Sequence, residues 1–224
     1  MTTTLDGKVV VTPFLLHHAR RGGAPTTIRK TKGPDLRPNL VNRDFKASDP
    51  RRLLVADITD VRARMGFVYT AFVADLFSRR IVGWALSDSM RTESLALQSL
   101  NQAIVGAKET FGLIYHADHG SQYVSIVYNE RLAAGGIAAA QGTVGAFYDN
   151  ALAANVTGFY KNDLIYTRTW ADVFDVGIAI FERVNWWNDS RLHQTLGYRT
   201  PAEVESELWK SSSAQEILAN MANT

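Results

Sequence analysis

The chain has no cysteine among its 224 residues. That removes disulfides, thiolate zinc sites and a thiolate nucleophile together. No uninterrupted apolar stretch approaches the roughly 20 residues that a membrane-spanning helix needs, so a soluble chain with no membrane partner is expected. The opening Met1-Thr2-Thr3-Thr4 lacks the charged and apolar regions of a secretory signal, so a cytoplasmic location, beside the bacterial nucleoid, is the expectation. There is also no internal repeat and no low-complexity tract. What remains is a chain with 46% hydrophobic residues, enough to bury a full core.

The formal charge of +2 hides an asymmetry: residues 1–50 hold nine Lys/Arg against four Asp/Glu, and the remaining residues hold fifteen against eighteen. Arg20, Arg21, Arg29, Lys30 and Lys32 stand among Gly22, Gly23, Pro25 and Pro34 without helical periodicity. Residues 1–46 therefore read as a basic, largely irregular arm. Arg29, Lys30 and Lys32 are its candidate contacts to a DNA backbone, with an affinity that would fall steeply with salt. A solvated linker explains the same residues nearly as well.

Two aspartates carry the chemistry. Asp57 ends the apolar run Leu53-Leu54-Val55-Ala56, and Asp118 closes Phe111-Gly112-Leu113-Ile114-Tyr115-His116-Ala117 just before Gly120 permits a turn. If the two strands are neighbours, their carboxylates meet and repel, unless a hard divalent cation such as Mg²⁺ or Mn²⁺ neutralises them. Such a site suits phosphodiester cleavage or transfer, where paired metals activate one oxygen and stabilise another. His116 shares the strand face of Asp118 and is read as a hydrogen-bonding neighbour more readily than as a ligand. Ser121 and Gln122 could hold a DNA phosphate at the start of the following helix, although helix capping by Ser121 accounts for them without DNA.

The periodicities predict strands near 53–59, 66–76 and 79–87 as a meander. They continue with a helix near 91–107, a strand near 112–117, a helix near 122–134, a short strand near 136–140 and helices near 149–165 and 170–187. This order gives an α/β architecture with a five-stranded mixed sheet and helices on both faces.

Five ordered blocks resemble the catalytic core of bacterial insertion-sequence transposases of the OrfB type, within the DDE transposase and retroviral integrase superfamily. They are Val55 to Thr59, Asp75 to Trp84, His116 to Tyr123, Asp149 to Ala153, and Asn188 to Glu203. The resemblance implies an RNase H-like fold over 47–208, followed by a tail at 209–224. It further implies a two-metal site using Mg²⁺ or Mn²⁺, DNA as substrate, a homo-oligomer, and attack of a 3′-hydroxyl on target DNA. It implies two aspartates, Asp57 and Asp118, as catalytic metal ligands, and a glutamate after a spacer of 35 residues, 119–153. That glutamate position is Ala154. A methyl group cannot coordinate a metal, so cleavage and strand transfer are expected to be impaired, and a catalytically silent DNA-binding remnant is the alternative. Leu54 and Arg183 lie where that family commonly carries tryptophan, and Asp60 where it commonly carries an aromatic. The segment Trp187-Asn188-Asp189-Ser190-Arg191-Leu192-His193 is similar to the family's Tyr-Asn-x-x-Arg-x-His, which implies that Arg191 and His193 hold DNA beside the metals. Trp186 and Trp187 read as core. No helix-turn-helix is expected in residues 1–40.

Overall fold

The computed structural model describes residues 2–5, 8–11, 47–89, 91, 95–107, 109–117, 122, 123, 125–141 and 151–222. Its strands are β1 (Thr2–Leu5), β2 (Lys8–Val11), β3 (Leu53–Ala63), β4 (Gly66–Asp75), β5 (Ile81–Ser87), β6 (Ile114–Ala117) and β7 (Ala138–Gln141). Its helices are α1 (Ala96–Ala107), α2 (Ile126–Ala134), α3 (Ala151–Asp163), α4 (Val173–Asp189) and α5 (Pro201–Ala222). β1 and β2 pair as an antiparallel hairpin, Thr2 opposite Val11, inside a stretch whose sequence shows no regular pattern.

The main sheet has the order β5-β4-β3-β6-β7. β3, β4 and β5 form the antiparallel meander that the short Ser78-Arg79-Arg80 link implies, while β6 and β7 run parallel to β3 and each other. This is the five-stranded mixed sheet expected from the alternation of strands and helices. The period of two along β3 divides its side chains between two cores. Leu53, Val55 and Val61 pack with α3 and α4, whereas Leu54, Ala56 and Ile58 pack with α1 and α2. Each fully buried Leu, Val or Phe contributes on the order of 2 kcal/mol by leaving water, so each face needs a helical cover. On the α1 side that cover lies very close: a Cβ at Gly83 would stand 2.1 Å from the Ser99 carbonyl oxygen.

Local signals fix the helix ends. Ser125, not Ser121, caps α2 by accepting from Tyr128 N at 3.3 Å, because the helix begins at Ile126. Asp172 caps α4 by accepting from the backbone N–H groups of Phe174 and Asp175. Thr200 and Glu203 form a reciprocal capping box at the start of α5, Glu203 N donating to Thr200 Oγ1 at 3.1 Å and Thr200 N to Glu203 Oε2 at 2.8 Å. With Pro201 as the first helical residue, this cap starts a helix that the periodicities do not predict and that crosses residue 208 without a break.

At the end of β4 the fully buried Asp75 holds a tight corner, accepting from Arg51 N, Ser78 N and Ser78 Oγ. Its carboxylate is a structural part of the β4–β5 link.

Candidate active site

Asp57 lies on β3, opposite Phe72 of β4, on the sheet face covered by α3 and α4. In the parallel β3–β6 ladder, Leu54 stands beside Tyr115, Val55 beside His116 and Ala56 beside Ala117. The next residue along each chain is an aspartate, Asp57 on one and Asp118 on the other. Asp118 itself lies outside the described residues, as do His119, Gly120 and Ser121.

The Asp57 carboxylate is held from two sides. Its Oδ1 accepts from Ile58 N at 2.9 Å and its Oδ2 from the Thr157 hydroxyl on α3 at 2.8 Å. A carboxylate offers about four lone-pair sites, so these bonds set its orientation without by themselves exhausting its capacity. Sequence reasoning misses Thr157, since an isolated threonine inside a helix carries no distinctive signal.

Thr157 also locates position 154. Residues three apart on an α-helix are neighbours on one flank, with about 4.5 Å of rise between them. Ala154 is therefore one turn before the residue that touches Asp57. It is exposed, while Ala153 and Val156 on either side of that line are buried against the sheet. Asp149 and Asn150, the other polar groups near this end of α3, lie outside the described residues.

His116 is buried at 1% exposure and faces the same side of the sheet as Val55 and Asp57. Gln122 is 6% exposed, so its side chain is not displayed on the surface. Among the described residues, no three His, Asp or Glu side chains gather as a metal site. The basic candidates Arg29, Lys30 and Lys32 lie outside the described residues.

The last turn of α4 and the segment after it divide into structural and charged parts. Trp187 is 1% exposed and donates from Nε1 to the Arg79 carbonyl at 2.8 Å. Asn188, also buried, accepts from Ile81 N at 2.9 Å and donates to Ile81 O at 3.0 Å, so its amide clamps the first residue of β5. Trp186 stacks on Phe159 with ring centroids 5.4 Å apart. The core reading of both tryptophans agrees with these contacts.

Arg191 lies between rings: its guanidinium carbon is 4.1 Å from the Trp187 centroid and 4.3 Å from that of Phe159. The His193 ring meets Trp187 edge to face at 4.8 Å. Burial pushes the Arg191 guanidinium down to about 10; Asp163 opposes this and Arg183 adds to it. Burial likewise pushes His193 down to about 4, with the positive charges of Arg191 and Arg79 adding to it and a backbone hydrogen bond to Trp187 opposing. At neutral pH the imidazole is uncharged.

Residues 47–145 match an integrase core domain model, and residues 155–207 match a second one. The chain is 41% identical, over 80% of its length, to the transposase for insertion sequence element IS629 of Shigella sonnei, and covers 60% of that protein. It is 40% identical, over 88% of its length, to the transposase assigned to insertion sequence element IS986/IS6110 of Mycobacterium tuberculosis, and covers 73% of it. Among solved structures, the catalytic core domain of HTLV-2 integrase in complex with magnesium (trimeric form) aligns with a TM-score of 0.53 at 14% identity. That alignment covers 70% of this chain and 98% of that one, a likeness of fold that fits the RNase H-like architecture. The match to both halves of the core, with about 40% identity to curated relatives, settles the family: this chain belongs to the bacterial insertion-sequence DDE transposases, whose catalytic domain is the integrase core.

Proposed function

We propose that the chain is the core of a metal-dependent DNA strand-transfer enzyme, impaired by the alanine at position 154. The observation that supports this reading is the β3–β6 register, in which Ala56 stands beside Ala117 and each is followed in sequence by an aspartate, Asp57 and Asp118. Hard carboxylate oxygens at that spot fit Mg²⁺ or Mn²⁺. Asp57 and Asp118 are the residues that would hold it. When bound, the ion lowers the cost of charge on the attacking and leaving oxygens. The protein's own part is to orient Asp57 through Thr157 and to cover the site with α3. Position 154, one turn from Thr157, is where a third carboxylate would complete the set, and alanine has none to offer.

DNA is the proposed partner, held by Arg191 and His193 in the core and by Arg29, Lys30 and Lys32 of the arm, with the backbone N–H groups of Ser121 and Gln122, which follow the second aspartate in sequence, taking a phosphate. The proposed organisation is an arm at 1–46, a core at 47–208 and a tail at 209–224, acting as a homo-oligomer on element ends and target. Among the described residues, no helix is long and apolar enough to cross a membrane.

The test is Mn²⁺-dependent nicking and strand joining on oligonucleotide duplexes. It compares the chain with Ala154→Glu, and with Asp118→Ala in that background. Gain of activity in the first and its loss in the second is the expected result. If Ala154→Glu stays folded and silent, the assignment of position 154 falls. Ala154 also favours a second reading, a catalytically silent DNA-binding remnant, which predicts DNA binding by every variant and cleavage by none.

A further inference from the structure

Four buried side-chain nitrogen atoms without a direct hydrogen bond among the described residues belong to three residues that neighbour Trp187. They are Arg79 Nε, Arg191 Nε, Arg191 Nη1 and His193 Nε2. Burying a guanidinium edge without an acceptor is unfavourable, because its N–H groups lose their water and gain no partner. Stacking on Phe159 and Trp187 satisfies the faces of the Arg191 guanidinium. It leaves the N–H edges, which lie in the plane of the group, without partners. Arg79 adds a second sign of constraint, because its backbone sits at φ +64°, in the left-handed region that a side-chain-bearing residue occupies at a cost. That conformation is braced by the hydrogen bond from Trp187 to the Arg79 carbonyl and by Arg79 N donating to Asp75 O at 2.9 Å. Asp75 and Asp163 act on Arg79 and Arg191 through their charge but accept no hydrogen bond from these buried nitrogens, so an oxyanion within hydrogen-bonding distance is what the guanidinium edges lack.

We propose that Arg79, Arg191 and His193 form a subsite for a single phosphate group. The identity of that phosphate rests on the strand-transfer reading: with DNA as substrate, it is one phosphodiester of the backbone. The planar guanidinium of Arg191 is suited to bidentate contact with phosphate. Arg79, in the β4–β5 link, meets the same Trp187 indole through its carbonyl and is near enough for its charge to act on His193. His193 contributes Nε2, and once the phosphate offsets the fields of Arg191 and Arg79, the imidazole can take up a proton and donate through that atom. The charged groups acting on His193 are Arg191 and Arg79 from the β4–β5 link; Asp163 at the end of α3 and Arg183 on α4 act on Arg191, and Asp75 acts on Arg79. Arg79 is invisible in the sequence as a site residue because the Ser78-Arg79-Arg80 link reads as an ordinary polar turn.

The test is nitrogen-15 NMR of the arginine Nε–H groups in the unmodified full chain, titrated with inorganic phosphate in metal-free buffer and then with a short DNA duplex. Saturable shifts of Arg79 and Arg191, with slowed hydrogen exchange, are expected with phosphate, and the same shifts at lower concentration with DNA. If the two resonances do not move with phosphate, the subsite is overturned. Phosphate shifts without DNA shifts keep the subsite and count against DNA as its source.

A second arm uses Arg79→Gln/Arg191→Gln, checked for an unchanged fold by circular dichroism. Duplex affinity at ~0.1 M salt should fall about tenfold, and the slope of log affinity against log salt should shrink by about one for each phosphate that is no longer neutralised. Unchanged affinity and slope in a folded variant would overturn the DNA assignment of the subsite while leaving the strand-transfer reading to its own cleavage assay.

Discussion

The Thr157 hydroxyl donates to Asp57 Oδ2 at 2.8 Å, joining α3 to the central strand of the sheet across 100 positions of sequence. This single bond relates the helix carrying position 154 to the first aspartate, and so defines the approach of α3 to the site. Thr157→Val keeps the shape and removes the donor. We expect a loss of about 1 kcal/mol in unfolding free energy from the missing hydrogen bond. In an Ala154→Glu background we expect in addition a higher Mn²⁺ concentration for half-maximal cleavage. A purely structural role for Thr157 would lower the stability and leave that metal dependence unchanged, while Thr157→Ser should restore both.

Asn188 makes a different kind of link. Its amide satisfies both the N–H and the C=O of Ile81, a residue at 6% exposure. Asn188→Leu leaves both backbone groups buried without that partner, so a destabilisation of about 2–4 kcal/mol is expected. Urea unfolding would show it as a lower midpoint with an unchanged slope. A variant within about 0.5 kcal/mol of the parent would mean that water replaces the clamp.

These two residues mark how far the sequence can be read. The unbroken apolar run Leu53-Leu54-Val55-Ala56 before Asp57 and the aromatic and β-branched run from Phe67 to Val73 carry the sheet openly, since short apolar runs of this kind suit strands covered on both faces. The placement of Asp57 at the strand that meets β6 follows from the same run. Thr157 is hidden because its partner is 100 residues away and nothing local distinguishes it. Asn188 is hidden within a mixed aromatic, basic and amide segment that suits a DNA groove as well as a strand clamp. The start of α5 is legible in principle: Thr200-Pro201-Ala202-Glu203 carries both halves of a capping box with proline at the first helical position. The helix that follows mixes charged and small residues with little apolar periodicity, and that weak pattern conceals it.

Gly83 permits the close approach of α1 to β5. An added methyl group would stand 2.1 Å from the Ser99 carbonyl oxygen and 3.2 Å from Ala103 N, both backbone atoms that cannot rotate away. Gly83→Ala must therefore push α1 off the sheet, with an overpacking cost of about 1–3 kcal/mol. Thermal unfolding should show a midpoint several degrees lower. Hydrogen exchange should show faster opening of α1 while β3 stays protected. Equal stability would mean that α1 slides along the strand and repacks there at no cost.

His193 links the region around Trp187 to pH. Its value in the folded protein, about 4, lies below the ordinary 6.5 because burial and the charges of Arg191 and Arg79 disfavour the imidazolium. The unfolded chain thus takes up this proton first as pH falls. The stabilising contribution is fully present above about 6.5, declines as pH drops from there through about 4, and is constant below that. His193→Gln has no proton to gain, so the stability difference between parent and variant should change across this window and be flat from about pH 7 to 8. Denaturant unfolding at about pH 7.5, 6, 5 and 4 measures it. A parallel dependence in the two proteins would show that His193 is not held neutral. Inorganic phosphate should shrink the effect, because an anion beside Arg79 and Arg191 offsets the positive field that keeps the imidazole uncharged.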